Sequence, residues 1–183
     1  MNIMILNGDP SPAGSAFDRY LDSLGQAFAG RGHVVKRINL REKSIRPCKG
    51  CFNCWVKTPG LCVFHDDADE VGRSYVSSDF VVFASPLIMG FPSALLKNAM
   101  DRNIPVIHPF LEEVDGEVHH MKRYDRYPGI AYLLAREPDT DDEDIAIVSD
   151  IFRREAINLR SSIAFIAFTD TAPEEVADAA HVH

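Results

Sequence analysis

The sequence lacks an excess of positive charge and lacks long apolar runs. Its 19 lysine and arginine residues are outnumbered by 27 aspartate and glutamate residues, for a formal net charge of −8. No basic stretch is concentrated enough to bind nucleic acid without sequence preference. No run approaches the roughly 20 apolar residues that a membrane-spanning helix needs. We therefore expect neither a nucleic acid nor a membrane as partner.

Two further absences limit the cellular compartment and the class of reaction that we expect. The opening stretch from Met1 to Leu6 has no basic leader, so it is not expected to be a signal peptide. A soluble protein of the reducing cytoplasm is the expectation, and thiols there stay free or bind metal. No Ser/His/Asp constellation and no pair of carboxylates stands out. A hydrolase therefore has no support, and the catalytic residues are unknown.

Cysteine is absent except in one short stretch. All 4 cysteines lie between residues 48 and 62, at Cys48, Cys51, Cys54 and Cys62. Thiolates bind soft metals, which makes zinc one interpretation, although structural zinc sites more often have two separated pairs of ligands. A redox pair of the thioredoxin type would need only two of the four cysteines. Metal-free thiols are a third interpretation.

Along most of the chain, short apolar runs alternate with segments whose apolar residues recur at helical spacing. Residues 3–6, 34–40, 80–84, 130–134 and 163–168 read as strands, and helices fall between them. This alternation predicts one α/β domain over residues 1–168, with a central parallel sheet of five strands. Residues 103–128 are expected to be irregular, with a hairpin turn at Asp115-Gly116. Residues 169–183 are expected to be a loose tail.

The fourth predicted helix follows an acidic loop at residues 138–144. It is expected to bury one apolar face against the sheet. The residues expected to point inward are Ile145, Val148, Ile151, Phe152 and Leu159.

Three loops leave the predicted strands at one edge of the sheet, where ligands of such sheets bind. Residues 9–15 offer backbone N–H groups and a helix start to an anion, although an ordinary helix cap would look the same. Asp9 is awkward for a phosphate, since its carboxylate must point away or hydrogen-bond the loop itself. Residues 86–92 are apolar, which predicts cover by a ring-shaped ligand or another subunit. Residues 136–142 form the third loop.

The motifs in order are Gly8-Asp9-Pro10-Ser11, Cys48-x-Gly50-Cys51-x-x-Cys54, Cys62-x-x-x-Asp66-Asp67, Ser85-Pro86-Leu87 and Lys97-x-x-x-Asp101-Arg102. This series resembles the NADPH-dependent FMN reductases, and most of all the branch that includes the iron–sulfur flavoproteins. The resemblance covers about residues 1–168. It implies a flavodoxin-like three-layer sandwich.

The resemblance also implies a set of cofactors and site residues. FMN would bind with its phosphate at residues 9–17 and its ring against residues 86–90, NAD(P)H would supply hydride, and the four cysteines would hold a [4Fe–4S] cluster. It further implies a homodimer or homotetramer. The cofactor-binding residues would be Asp9, Ser11, Ser15, Ala16, Phe17, Pro86, Leu87, Ile88, Met89 and Gly90.

This chain departs from the family pattern at three positions. Family members usually carry hydroxyl residues where this chain has Asp9 and Ala16, and an aromatic residue near Ile88. These changes remove phosphate donors and a stacking partner, so we expect a low flavin affinity, a different flavin or no flavin. The patch from His119 to Tyr127 is a candidate cap for a neighbouring subunit's flavin site.

The function predicted from the sequence is an FMN-dependent oxidoreductase. It would pass electrons from NAD(P)H to a small acceptor such as a flavin, a quinone or an iron–sulfur centre. An electron carrier without its own substrate turnover is the alternative. A module whose thiols bind a regulatory metal is a weaker third.

Overall fold

The structure is a computed structural model that describes residues 1–180 of the chain. This part of the chain contains eight strands and six α-helices. The strands are β1 (Asn2–Asn7), β2 (Val34–Asn39), β3 (Phe80–Ile88), β4 (Phe91–Pro92), β5 (Ile107–Val114), β6 (Glu117–Lys122), β7 (Gly129–Ala135) and β8 (Ile163–Phe168). The helices are α1 (Ala16–Gly30), α2 (Asn53–Val56), α3 (Ala68–Ser77), α4 (Ala94–Asp101), α5 (Asp142–Asn158) and α6 (Pro173–Ala179). Within residues 1–180, no helix combines the length and the apolar character needed to cross a membrane.

Five parallel strands form the central sheet in the order β2-β1-β3-β7-β8. Leu6 lies beside Phe83, and Phe83 lies beside Tyr132, so the three middle strands pair in register. This order is the one that flavodoxin-like folds adopt. The predicted flavodoxin-like α/β fold with a five-stranded parallel sheet is therefore confirmed.

Helices cover both faces of the sheet because successive side chains of a strand point to opposite sides. Along β1, Met4 and Leu6 pack in a cluster with residues of α3, α4 and α5, while Ile3 and Ile5 pack with residues of α1 and α6. The middle strands are buried on both faces, which explains their continuous apolar runs. The three predicted layers are present.

The expected loose tail is wrong for residues 173–180. They form α6, which packs against α1, and Val176 and Ala177 are buried there. The segment looked featureless because its buried face consists of only Val176 and alanines. Pro173 in the first turn starts the helix, a position that needs no backbone N–H. The last three residues of the expected tail lie outside the described residues.

The stretch expected to be irregular, residues 103–128, holds an antiparallel hairpin of β5 and β6. Its turn at Asp115-Gly116 is confirmed, since both residues adopt positive φ, of 53° and 80°. Two such residues make the tight turn that suits a right-twisted hairpin. The apolar loop after β3 is also shorter than expected. Residues 85–88 continue that strand, and β4 folds back onto it.

Helix α5 buries Val148 and Phe152, as predicted, but Ile151 is 38% exposed. Ile151 lies one residue from Phe152, which turns it by about 100° away from the inward face. The inward orientation expected of Ile151 is therefore wrong. The ring of Phe152 stacks on Tyr132 of β7, with 3.8 Å between the ring centroids.

We expect Phe152→Ala to lower the free energy of unfolding by about 3–5 kcal/mol, because it leaves a cavity under the sheet. Ile151→Ala, on the same helix turn, should cost less than about 1 kcal/mol. Urea unfolding monitored by circular dichroism measures both. Equal losses for the two variants would contradict the placement of α5.

Candidate functional site

The loops that follow β1 and β3 are fixed to each other at the carboxyl edge of the sheet. The backbone N–H of Gly8 donates to the carbonyl oxygen of Ala84 at 2.8 Å. The hydroxyl of Ser93 donates to the carbonyl oxygen of Gly8, and the hydroxyl of Ser85 accepts from the backbone N–H of Ser93. A Cβ atom at Gly8 would lie 2.7 Å from the Cβ atom of Leu96, so only glycine fits here.

Inside the first loop, Asp9 is buried and bonded to the loop itself. Its carboxylate accepts hydrogen bonds from the backbone N–H of Ser11 at 2.9 Å and from the hydroxyl of Ser15 at 2.5 Å. Its own backbone N–H donates to the side chain of Asn7. Asp9 is only 2% exposed. This is one of the two arrangements that the sequence allowed for this carboxylate.

A second carboxylate, Asp18, lies beneath the same loop. It accepts from the backbone N–H of Gly14 at 2.9 Å and forms a two-bond ion pair with Arg41, at 3.0 and 2.7 Å. Burial would raise the pKa of Asp18, but the hydrogen bonds from Arg41, Gly14 and Asn7 outweigh it and hold the pKa below its ordinary value. This ion pair ties the start of α1 to the chain after β2.

The loop after β7 is joined to the turn between β3 and β4. The carboxylate of Glu137 accepts from the backbone N–H groups of Met89 and Gly90, each at 2.8 Å. These two bonds lower the pKa of Glu137. Met89 and Gly90 both have positive φ, of 55° and 74°. Glu137 therefore stabilises a turn that is costly for Met89.

An apolar surface lies at this turn. Ile88 is 44% exposed and Met89 is 93% exposed. Pro86 is half-buried, and Leu87 belongs to the core beneath the turn. The turn thus offers an apolar face large enough for a flat ring, beside the first loop and the loop after β7.

The predicted cofactor residues divide into groups. Three of them, Asp9, Ser11 and Ser15, come together in the first loop. Ala16 is exposed at the start of α1, whereas Phe17 packs in the core and offers only its backbone. Ile88, Met89 and Gly90 form the apolar turn. In the first loop, the N–H groups of Ser11 and Gly14 and the hydroxyl of Ser15 are bonded to carboxylates of the chain itself.

The four cysteines line one cavity of about 30 Å³, together with Phe52 and Phe64. Cys48 and Cys51 are exposed, Cys62 is half-buried, and Cys54 is buried in α2. Burial and the neighbouring thiols raise the pKa of Cys54. The cavity holds about one water molecule. Across residues 1–180, no three His, Cys, Asp or Glu side chains converge as a single metal ion would require.

A buried ion pair fixes the end of the cysteine loop. Arg102 of the segment after α4 donates to both carboxylate oxygens of Asp66, at 2.8 and 3.0 Å, and to the carbonyl oxygens of Arg46 and Phe64. Burial would raise the pKa of Asp66, but its hydrogen bonds to Arg102 and to the backbone lower it. The motif residues Asp66 and Arg102 therefore hold the loop in place, and Arg102 also interacts with the thiol of Cys62.

One buried acid was missed by the sequence analysis. Glu155 lies on the inner side of α5, where burial raises its pKa to about 7. It lines an open cavity of about 470 Å³ with Lys97, His119 and Arg154. The signal was available, because Glu155 follows Phe152 by three residues and shares its helical face.

Comparisons with known proteins agree with this geometry. The family profile described as NADPH-dependent FMN reductase matches residues 1–110. An iron–sulfur flavoprotein of Methanocaldococcus jannaschii is 34% identical over 106 residues, which are 58% of this chain and 53% of that protein. One from Archaeoglobus fulgidus is 35% identical over 101 residues, or 55% of this chain and 44% of that protein. The matched stretch spans about half the length of these relatives.

Solved structures share the fold. An FMN-dependent NADH-azoreductase of Bacillus anthracis in complex with FMN superposes with a TM-score of 0.64 at 14% identity, over 100% of this chain and 95% of that one. An NAD(P)H:quinone oxidoreductase of Methanothermobacter marburgensis gives a TM-score of 0.62 at 16% identity, over 92% of this chain and 82% of that one. Similarity at this identity establishes the architecture.

We expect Arg41→Met to lower the free energy of unfolding at neutral pH by about 3–5 kcal/mol, because it leaves the charge of Asp18 buried without its partner. The folded-state pKa of Asp18 lies below 3.8, so the contribution of the pair is present above that pH and is lost as the pH falls through the folded-state value. The difference between variant and wild type should therefore shrink near pH 3. Urea unfolding at both pH values measures it.

Arg37→Met is the matched control. Arg37 pairs with Asp22 at 2.7 Å on a more exposed surface. Removing an exposed pair of this kind costs about 0–1 kcal/mol. A loss as large for Arg37→Met as for Arg41→Met would show that the burial of Asp18 is not the cause.

Proposed function

The chain belongs to the NADPH-dependent FMN reductase family, whose profile covers residues 1–110 of its 183, and we propose that it is a flavin-dependent oxidoreductase that passes electrons from NAD(P)H to a small acceptor. Flavins, quinones and iron–sulfur centres are the acceptor classes we propose. The free thiols suit a reducing compartment, so we place the activity in the cytoplasm.

The observation that carries this proposal is the exposed apolar turn at Ile88 and Met89, at the carboxyl edge of the sheet. Ligands of open parallel sheets bind at this edge. A flat apolar ring placed there would cover side chains that are otherwise exposed to water, and this burial favours binding. When bound, the flavin supplies the hydride and electron chemistry.

The chain's own residues would bind the flavin ring and orient it. Ile88 and Met89 would contact the ring and exclude water from one side of it. Glu137 holds their turn in its left-handed conformation through the N–H groups of Met89 and Gly90. The absence of an acid/base pair at this turn fits a reaction whose difficult chemistry belongs to the cofactor.

A second copy of the chain would complete the site. The β5–β6 hairpin exposes Phe110, Leu111 and Val118, at 64%, 57% and 69%. Apolar exposure of this kind marks interaction surfaces. We propose that the hairpin meets another subunit in a homodimer or homotetramer. The patch from His119 to Tyr127 would then approach the neighbouring flavin site.

We expect the purified chain to bind added flavin and then to oxidise NAD(P)H when a quinone is present. Ile88→Glu should weaken flavin binding at least about tenfold, because it places a charge against the apolar ring. Quenching of flavin fluorescence measures binding, and the absorbance of the nicotinamide measures turnover.

Val34→Glu is the matched control. Val34 is 67% exposed and begins β2, at the opposite edge of the sheet. It should change flavin affinity less than about twofold. A chain that binds no flavin would contradict the proposal. Flavin binding without any NAD(P)H oxidation would instead support an electron carrier that depends on a separate reductase.

A second candidate is electron transfer through an iron–sulfur cluster, and one observation favours it. All four cysteines line the same cavity, so they lie on one side of their loop. The loop would have to open to admit a cluster, because the present cavity holds about one water molecule.

For this candidate we expect protein purified without oxygen to contain about four iron and four sulfide per chain, as a [4Fe–4S] cluster requires. Cys54→Ser should abolish the iron, since it removes a thiolate ligand. Iron and acid-labile sulfide analysis measures both. Fewer than one iron per wild-type chain would remove the cluster and leave a flavin-only enzyme.

A further inference from the structure

The loop between β1 and α1 is already bonded to carboxylates of this chain, and we propose that the flavin site therefore selects a flavin without a terminal phosphate, of the riboflavin class. The proposal rests on the proposed flavin function. It concerns which flavin binds. The apolar turn would contact the ring, and the polar loop would discriminate against the dianionic phosphate of FMN.

Three donors of this loop are already bonded to carboxylates. The N–H of Ser11 and the hydroxyl of Ser15 both donate to the carboxylate of Asp9, and the N–H of Gly14 donates to Asp18. A phosphate bound at a helix start depends on such N–H and hydroxyl groups. Here the side chain of Asp9 takes the place of the bound anion.

The charge of Asp9 adds repulsion to the loss of donors. Asp9 is 2% exposed, and its carboxylate faces the same loop that a phosphate would approach. Two negative groups that share one small site repel strongly, and little solvent lies between them. A dianion could bind only if the loop opened and Asp9 left its partners.

The cations near the loop are committed elsewhere. Arg41 is bonded to Asp18, and Arg136 is paired with Asp170 at 3.1 Å. Arg19 donates to the carbonyl oxygen of Gly14 at 2.7 Å. The charges of Arg41 and Arg136 are therefore balanced by carboxylates of this chain.

The other loops at this edge carry further acid. Glu137 uses the N–H groups of Met89 and Gly90, and the start of α5 adds Asp141, Asp142 and Asp144. A neutral polyol chain tolerates such surroundings, because its hydroxyls donate to carboxylates as readily as they accept. The ligand class that fits is therefore an isoalloxazine ring with an uncharged side chain.

The test compares FMN with riboflavin on the full chain by quenching of flavin fluorescence. We expect the wild type to bind riboflavin at least about threefold more tightly than FMN. Asp9→Ser should tighten FMN binding about tenfold or more and leave riboflavin nearly unchanged, because it frees Ser11 and Ser15 and removes the charge. Asp9→Asn removes the charge in the same shape and should give a smaller gain for FMN.

Asp22→Ser is the matched control, since it removes one negative charge from the outer surface of α1. It should leave the ratio of the two affinities unchanged. Wild-type protein that binds riboflavin less than about threefold more tightly than FMN would overturn the inference, as would an Asp9→Ser variant that gains nothing for FMN. If Asp9→Ser does not fold, the wild-type ratio and Asp9→Asn still decide. Binding of neither flavin by any variant would overturn the flavin function itself.

Discussion

The backbone amides at the carboxyl edge of a parallel sheet must find acceptors, and in this chain carboxylates supply them. Asp9 accepts from the first loop, Asp18 accepts from the same loop beneath it, and Glu137 accepts from the turn after β3. Ligands of open parallel sheets bind at these strand ends. Here four of the N–H groups at this edge are bonded to carboxylates of the chain itself.

This constraint links stability to recognition. Buried N–H groups without partners would cost about 1–3 kcal/mol each, so a loop that waits for a ligand is less stable than one that is satisfied internally. The bonds that stabilise the loop also occupy donors that an anion would otherwise use. The apolar turn is different, because Ile88 and Met89 stay exposed and lose nothing when a ring covers them. Ring binding and phosphate binding are therefore separable in this site.

Most of the sheet could be predicted from the sequence, because its middle strands are buried on both faces and read as unbroken apolar runs. Helix α6 could not, since its contact with α1 depends on Val176 and small alanines, which carry no periodic signal. The inward orientation of Ile151 was wrong for a related reason. Periodicity alone does not settle which edge of an apolar stripe faces the core.

The candidate site was located by loop position, yet its chemistry depended on partners far apart in sequence. The sequence left two options for the carboxylate of Asp9, and a hydrogen bond to its own loop was one of them. The bond between Glu137 and the N–H groups of Met89 and Gly90 joins residues almost fifty positions apart. No local pattern encodes such a contact, because it exists only once β3 and β7 pair.

The cysteine loop is held by a second set of hydrogen bonds, which involves other residues than those at the apolar turn. Trp55 of α2 donates through Nε1 to the carbonyl oxygen of Ile107 at the start of the hairpin, and its ring lies 4.9 Å from that of His120. Arg102 and Asp66 fix the other end of the loop. The thiols are therefore held between the sheet and the hairpin. A movement of the hairpin, such as one caused by contact with another subunit, would act on the cysteine loop through Trp55. If the loop binds a cluster, cluster binding and subunit contact would therefore be coupled through that side chain.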